Sequence, residues 1–194
     1  MRLVLILTLL TTLAGSAAHA MPGVTSLPPD SLYQSTAKLT DDHGRRMALT
    51  VKRGQPQIVS MFYTSCKFVC PMIIDGALAI EESLNPAERA RLGVMLISFD
   101  PKRDTPQALS RMRHERDLDE ARWTLLRPDP PDVRGIASLL GIRYRALADG
   151  EFNHTTALVL LDAEGRIVAR TERVAGPPDP AFLAAVRKAL AAPD

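Results

Sequence analysis

The sequence predicts an α/β sandwich, a central mixed β-sheet flanked by helices and extended by an N-terminal β-hairpin. Three observations carry the prediction. Gln57–Tyr63 and Gly93–Phe99 are short, nearly continuous apolar runs, as expected of strands covered on both faces. Each leads into a helical pattern, one opening near Pro71 and one at Pro106. Ala157–Asp162 and Ile167–Arg170 flank the tight turn Ala163-Glu164-Gly165-Arg166 and precede an amphipathic helix over Asp179–Ala191.

Taken in order, residues 1–20 read as a cleaved secretory signal. Met1-Arg2 is a basic start, Leu3–Leu13 an apolar run, and Ala14–Ala20 a small-residue stretch ending in A-x-A. The run is about 11 residues, short for a membrane span, which needs about 20. The expected location is the periplasm; the alternative is an uncleaved anchor in the inner membrane with the domain facing the periplasm. Residues 21–35 are rich in Pro, Ser and Thr and read as an extended arm. Residues 36–194 are read as one domain.

That domain opens with short strands at 36–40 and 46–51 around the turn Asp41-Asp42-His43-Gly44. After the strand Gln57–Tyr63, Pro71 suits the first helical position, which puts Cys70 at or beside the N-cap. Ile73, Ile74, Ala77, Leu78 and Leu84 form an apolar stripe, with Asp75, Glu81 and Glu82 off it. Asn85-Pro86-Ala87-Glu88 carries the signals of a capped short helix. Asp104 or Thr105 caps a helix running from Pro106 to about Leu118. Trp123–Leu126 suggests a strand, and a helix starts near Asp132 and ends near Gly141. Strand, helix, strand, helix, strand, strand, helix is the order of a thioredoxin-like domain.

Composition excludes some functions. The full chain has 24 Lys and Arg against 22 Asp and Glu. Removing Arg2 leaves the mature chain near +1, which points to neither nucleic acid nor an anionic membrane as partner. A monomer is expected.

The chemistry lies in the only two cysteines, Cys66 and Cys70, spaced C-x-x-x-C with Lys67-Phe68-Val69 between them. A disulfide across so short a loop removes little unfolded-state entropy, so a purely structural bridge is a poor use of both. A helix N-terminus favours thiolate, and thiolate serves both disulfide exchange and metal binding. Redox enzymes of this class usually carry C-x-x-C. The extra residue lets the two sulfurs converge on a third atom while staying close enough to oxidise. Thr64, two before Cys66, fits a peroxidase pattern, but Ser60 stands where that pattern has proline.

A metal needs further ligands. His43 falls in a predicted surface turn and His114 in a charged helix segment, Arg111–Arg116. His154 precedes a core strand, in a loop expected to face the cysteines. Two thiolates and an imidazole suit copper(I), and the imidazole also accommodates copper(II). A structural zinc would want a fourth ligand, for which Asp100 at a strand end is a candidate. Asp100, Arg103 and Asp104 read chiefly as groups that cap and fix their loop.

These residues match a pattern. Phe62-Tyr63-Thr64-x-Cys66-x-x-x-Cys70-Pro71, Ser98-Phe99-Asp100-Pro101-x-Arg103-Asp104-Thr105-Pro106, and His154 before a strand with Gly165 after it resemble the SCO/SenC family. Those are exported thioredoxin-like copper chaperones of cytochrome c oxidase assembly, and the match runs from about Leu39 to Arg170. The resemblance implies copper held by Cys66, Cys70 and His154. It implies delivery of that copper to the binuclear copper site of the oxidase, or reduction of that site's cysteines. The copper-site subunit of the oxidase, another periplasmic copper chaperone and a thiol reductase are the implied partners. The alternative is a periplasmic thiol-disulfide oxidoreductase, with Cys66 and Cys70 as the redox pair and no stable copper binding. Lys67 stands where many members have proline, giving a looser and more positive loop. Asn153 stands where many have aspartate, withdrawing one charge from beside the histidine.

Overall fold

The computed structural model describes residues 26–66 and 69–192. The expected signal, the first residues of the arm and the spacer residues Lys67 and Phe68 lie outside the described residues.

In chain order the elements are β1 (Leu39–Asp41), β2 (Arg46–Met47), β3 (Gln57–Phe62), α1 (Val69–Glu82), α2 (Pro86–Ala90), β4 (Gly93–Ser98), α3 (Pro106–Glu115), β5 (Trp123–Pro128), α4 (Val133–Leu139), β6 (Tyr144–Ala146), β7 (Phe152–His154), β8 (Leu158–Leu161), β9 (Ile167–Thr171) and α5 (Pro180–Ala191). Seven strands form one mixed sheet in the order β2-β1-β5-β4-β3-β8-β9. β3, β4 and β5 run parallel, and β1 and β8 pair antiparallel to β5 and β3. Every residue of β3 and β4 is buried, as their unbroken apolar character requires of strands between two helical layers. The α/β sandwich of thioredoxin-like class with a hairpin at its N-terminal edge is therefore what the chain forms. Among the described residues no helix is long and apolar enough to cross a membrane.

Local chemistry sets the element ends. Asn85 accepts the Glu88 amide at 2.9 Å while Glu88 accepts the Asn85 amide at 3.0 Å, a capping box that starts α2. Thr105, not Asp104, caps α3, accepting the Ala108 amide at 3.2 Å. α3 stops at Glu115 rather than near Leu118, and Asp117 beyond it takes a left-handed φ of 49°. The stretch at 46–51 splits into a two-residue strand and a 3-10 turn over Leu49–Lys52. α1 begins at Val69, so Pro71 is its third residue and Cys70 its second, not the cap. Any of the first four amides of a helix lacks an intrahelical partner, so proline fits this position as well as the first.

Two departures concern burial. Leu32 and Tyr33, in the stretch expected as an extended arm, are buried core residues. The Tyr33 ring lies against the Gly165 turn, where φ is +82° and an added Cβ would come within 2.5 Å of the ring. Glu81, placed off the apolar stripe, is buried because Arg122 Nε and the Trp123 indole donate to its carboxylate at 2.8 and 2.9 Å.

A second buried charge ties α3 to the N-terminal hairpin. Arg113 donates from Nε and Nη2 to Asp42 at 2.5 and 3.0 Å, and Nη2 also reaches the Trp123 carbonyl at 3.1 Å. Arg113→Met leaves the Asp42 carboxylate desolvated and uncompensated. Urea unfolding of that variant is expected to show a loss of about 3–5 kcal/mol.

Candidate metal centre

The site is built at the C-terminal ends of β3 and β4, where parallel strands leave backbone and side chains free to face a ligand. Phe62 and Ser98 are in register, and the Phe99 amide donates to the Phe62 carbonyl at 3.0 Å. Tyr63 and Phe99 therefore leave the sheet side by side, with ring centroids 5.2 Å apart.

The cysteine loop is pinned from below by Asp104. Its Oδ1 accepts the amide and hydroxyl of Thr64 at 3.0 and 2.6 Å, and its Oδ2 accepts the Ser98 hydroxyl at 2.5 Å. Burial raises the Asp104 carboxyl above its ordinary range although these three donors oppose the shift. Asp104 is thus a loop anchor rather than a cap, and Thr64 has a structural partner that accounts for it without peroxidase chemistry.

Cys66 then turns back toward the helix. Its amide donates to the Tyr63 carbonyl at 3.3 Å, and its Sγ accepts the Cys70 amide at 3.4 Å. That amide is one of the donors an α-helix leaves over in its first turn. Both cysteines carry thiols, Cys66 half-buried and Cys70 buried, and the two side chains hydrogen-bond each other. The thiolate-favouring effect expected of the helix start does not prevail at Cys70. Burial pushes its thiol well up and contact with Cys66 adds to that, while a backbone hydrogen bond from Tyr63 pulls the other way.

His154 ends β7 of a small hairpin, β6–β7, that the sequence reading did not anticipate. Asp149-Gly150 marks its turn, with Gly150 at φ +84° and the Leu147 amide donating to the Glu151 carbonyl at 2.8 Å. The short alternation Phe152-Asn153-His154 after an Asp-Gly dipeptide was the available signal. Tyr144 pairs opposite His154, and Phe152 lies on the same face of the hairpin. Those rings pack on Phe99, with His154 at 4.8 Å, Phe152 at 5.1 Å and Tyr144 stacked at 5.5 Å. Burial lowers the His154 pKa, opposed by its contact with the Thr155 carbonyl, so the imidazole is neutral at neutral pH. Neutral imidazole is the ligating form.

Tyr63 and Arg103 join the two halves. The Tyr63 hydroxyl donates to Glu151 Oε2 at 2.7 Å and also contacts the Cys66 side chain. Burial, then these two acceptors, raise its pKa. The Tyr63 ring stands edge-on to His154 at 6.2 Å. Arg103 is held by Asp100, donates to the Gly150 carbonyl at 2.5 Å, and lies 5.8 Å from the ring centres of both Tyr63 and Phe152. Asp100 is thereby committed to Arg103.

The structure thus brings Cys66 and Cys70 together and sets His154 at the same end of the sheet, beyond Tyr63. Among the described residues no three His, Cys, Asp or Glu side chains stand close enough to hold one metal ion. His43, on the exposed turn, pairs with Glu120 at 2.8 Å, and His114 turns to the Ser110 carbonyl; both are surface residues as expected. The donor chemistry suits a soft ion: two thiols in contact and a neutral imidazole on an adjacent, separately attached hairpin.

Comparison with known proteins identifies the family and the fold. The SCO1/SenC family matches residues 27–191. A search of curated proteins found no significant match. Among solved structures, a candidate electron transfer protein of Aquifex aeolicus is 25% identical with a TM-score of 0.70, covering 84% of this chain and 94% of its own. ScoI of Bradyrhizobium japonicum, solved with copper bound, is 23% identical with a TM-score of 0.66, covering 78% and 96%. Yeast Sco1, also solved with copper bound, is 18% identical with a TM-score of 0.65, covering 78% and 84%.

Proposed function

We propose, from the premise that this chain belongs to the SCO1/SenC family, that it binds copper through Cys66, Cys70 and His154. In this reading it is exported, works in the periplasm, and passes the ion to the copper-site subunit of cytochrome c oxidase during assembly. The observation that carries the reading is the pair of free thiols joined at the start of α1, where Cys66 Sγ accepts the Cys70 amide, with the His154 ring packed beside Tyr63 and Phe99 at the same end of the sheet. Copper is the cargo. The thiols must lose their protons to hold it, and a metal drives that loss even from a buried thiol. Burial disfavours the Cys70 anion, so loss of its proton is coupled to cargo binding. In this reading His154 completes the set, its hairpin tied to the cysteine side by Tyr63 through Glu151 and by Arg103 through the Gly150 carbonyl.

Two free thiols this close also support the second reading, a thiol-disulfide reductase. Cys66, the more accessible sulfur, attacks a partner's disulfide, and Cys70 then displaces the partner from the mixed disulfide. Two thiols become one disulfide here as the partner's disulfide becomes two thiols, with two electrons and two protons transferred.

Anaerobic copper titration separates the readings. The chaperone reading expects one copper per chain and, with copper(II), a thiolate charge-transfer band that His154→Ala shifts or abolishes. Absence of the band, together with unchanged binding by His154→Ala, would sink it. Turnover on an oxidised copper-site domain without copper retention would favour the reductase.

A further inference from the structure

The hairpin that carries His154 leaves one strand edge open beside the thiols. The Leu147 amide donates to the Glu151 carbonyl and the Thr155 amide to the Arg143 carbonyl, each at 2.8 Å. On an antiparallel pair, residues two apart turn their backbone groups the same way. With Arg145 opposite Asn153, those two therefore exchange hydrogen bonds inside the hairpin, and the amides and carbonyls of Phe152 and His154 point outward from β7. The Phe152 amide meets the Tyr63 hydroxyl. Among the described residues the Phe152 carbonyl and both backbone groups of His154 have no partner.

The Tyr63 hydroxyl that takes the Phe152 amide also touches the Cys66 side chain, so the open edge starts one hydroxyl away from the more accessible sulfur. β6 carries a like edge, but on the side of the hairpin away from Tyr63. The hairpin is a two-stranded sheet separate from the seven-stranded one. A third strand can therefore join it without disturbing the main sheet, and two strands gain stability from a third. A row of free main-chain donors and acceptors is a template for another extended chain. The group at the start of this row is a thiol, whose covalent exchange partner on such a chain is a cysteine.

We propose that the outer edge of β7 receives an extended, cysteine-bearing segment of the protein on which this chain acts. The segment pairs antiparallel to β7, one of its residues exchanging both hydrogen bonds with His154 while its cysteine faces Cys66. The pairing uses the main chain of His154 and leaves the imidazole for a metal. It rests on the reading that Cys66 meets a partner's cysteine, in copper transfer or in thiol exchange, and adds how that partner is held, by backbone more than by side chain.

The test uses the Cys70→Ala chain, in which Cys66 has no resolving neighbour. The probes are short Thr/Val peptides with one central cysteine, activated as the mixed disulfide with thionitrobenzoate. The Cys66 thiolate attacks the peptide sulfur; a new disulfide forms between them as the old one breaks, and coloured thionitrobenzoate thiolate leaves with the electron pair. Each peptide is N-methylated at one residue in turn. Methylation at alternate residues is expected to slow capture roughly threefold to tenfold, as loss of one backbone hydrogen bond would, and at the residues between to leave the rate unchanged. In the captured complex the His154 amide should exchange with deuterium roughly tenfold or more slowly than in the free chain. No copper is present, so a failure of the copper titration above does not alter these outcomes. Capture that ignores N-methylation, or an unprotected His154 amide in the complex, overturns the proposal. So does His154 protection that grows with protein concentration in the absence of peptide, which would assign the edge to a second copy of the chain.

Discussion

Cys70→Ala is expected to lower copper(I) affinity roughly 10²–10³-fold. Structural thiolate-rich metal sites with four ligands bind with about 10–16 kcal/mol, or about 2.5–4 kcal/mol per ligand. Each 1.4 kcal/mol is a factor of about ten. Cys70 is 3% exposed and lies in the first turn of α1, so its sulfur serves both the core and the site. Alanine keeps the helix and loses only part of one small side chain. The expected cost in unfolding free energy is therefore only about 1 kcal/mol. Competition against a copper(I) chelator, with thermal unfolding alongside, separates the two quantities. A large loss of stability with copper affinity within threefold of wild type would mean that Cys70 is a core residue and not a ligand.

Tyr63→Phe is expected to weaken copper(I) binding about tenfold, the low end of what supporting groups around metal ligands contribute. Phenylalanine preserves the ring contacts with Phe99, Phe152 and His154 and removes only the hydroxyl. That hydroxyl connects the cysteine loop to Glu151, three residues before His154. Glu151→Gln should reproduce most of the effect, and the double variant should be little worse than either, because both changes cut one link. The His154 imidazole resonances of the copper-free protein should move in both single variants. Additive losses, or unmoved resonances, would show that Tyr63 supports the fold without guiding the histidine.

Much of this was legible in the chain. β3 and β4 announced themselves as unbroken apolar runs because both of their faces are covered. The caps at Asn85 and Thr105 are local hydrogen bonds and depend on nothing distant. The candidate ligands Cys66, Cys70 and His154 were identifiable because so few soft donors exist in the sequence. What was hidden depends on tertiary partners. Glu81 looks like a surface residue until Arg122 and Trp123 are folded against it. Asp104 resembles a cap because the Thr64 and Ser98 donors that claim it come from two other segments. The raised thiol of Cys70 follows from burial, which a motif does not encode. Strands of three residues, such as β6 and β7, carry too little periodicity to stand out, although Asp149-Gly150 marked their turn.

The most direct measurement is copper K-edge absorption on the copper(I)-loaded wild-type chain and on His154→Ala, with copper at or below one equivalent. The account predicts two sulfur neighbours and one imidazole nitrogen in the wild type, with the imidazole scattering lost and both sulfurs kept in the variant. Identical spectra for the two proteins, or a wild-type ion with fewer than two sulfur neighbours, would contradict it.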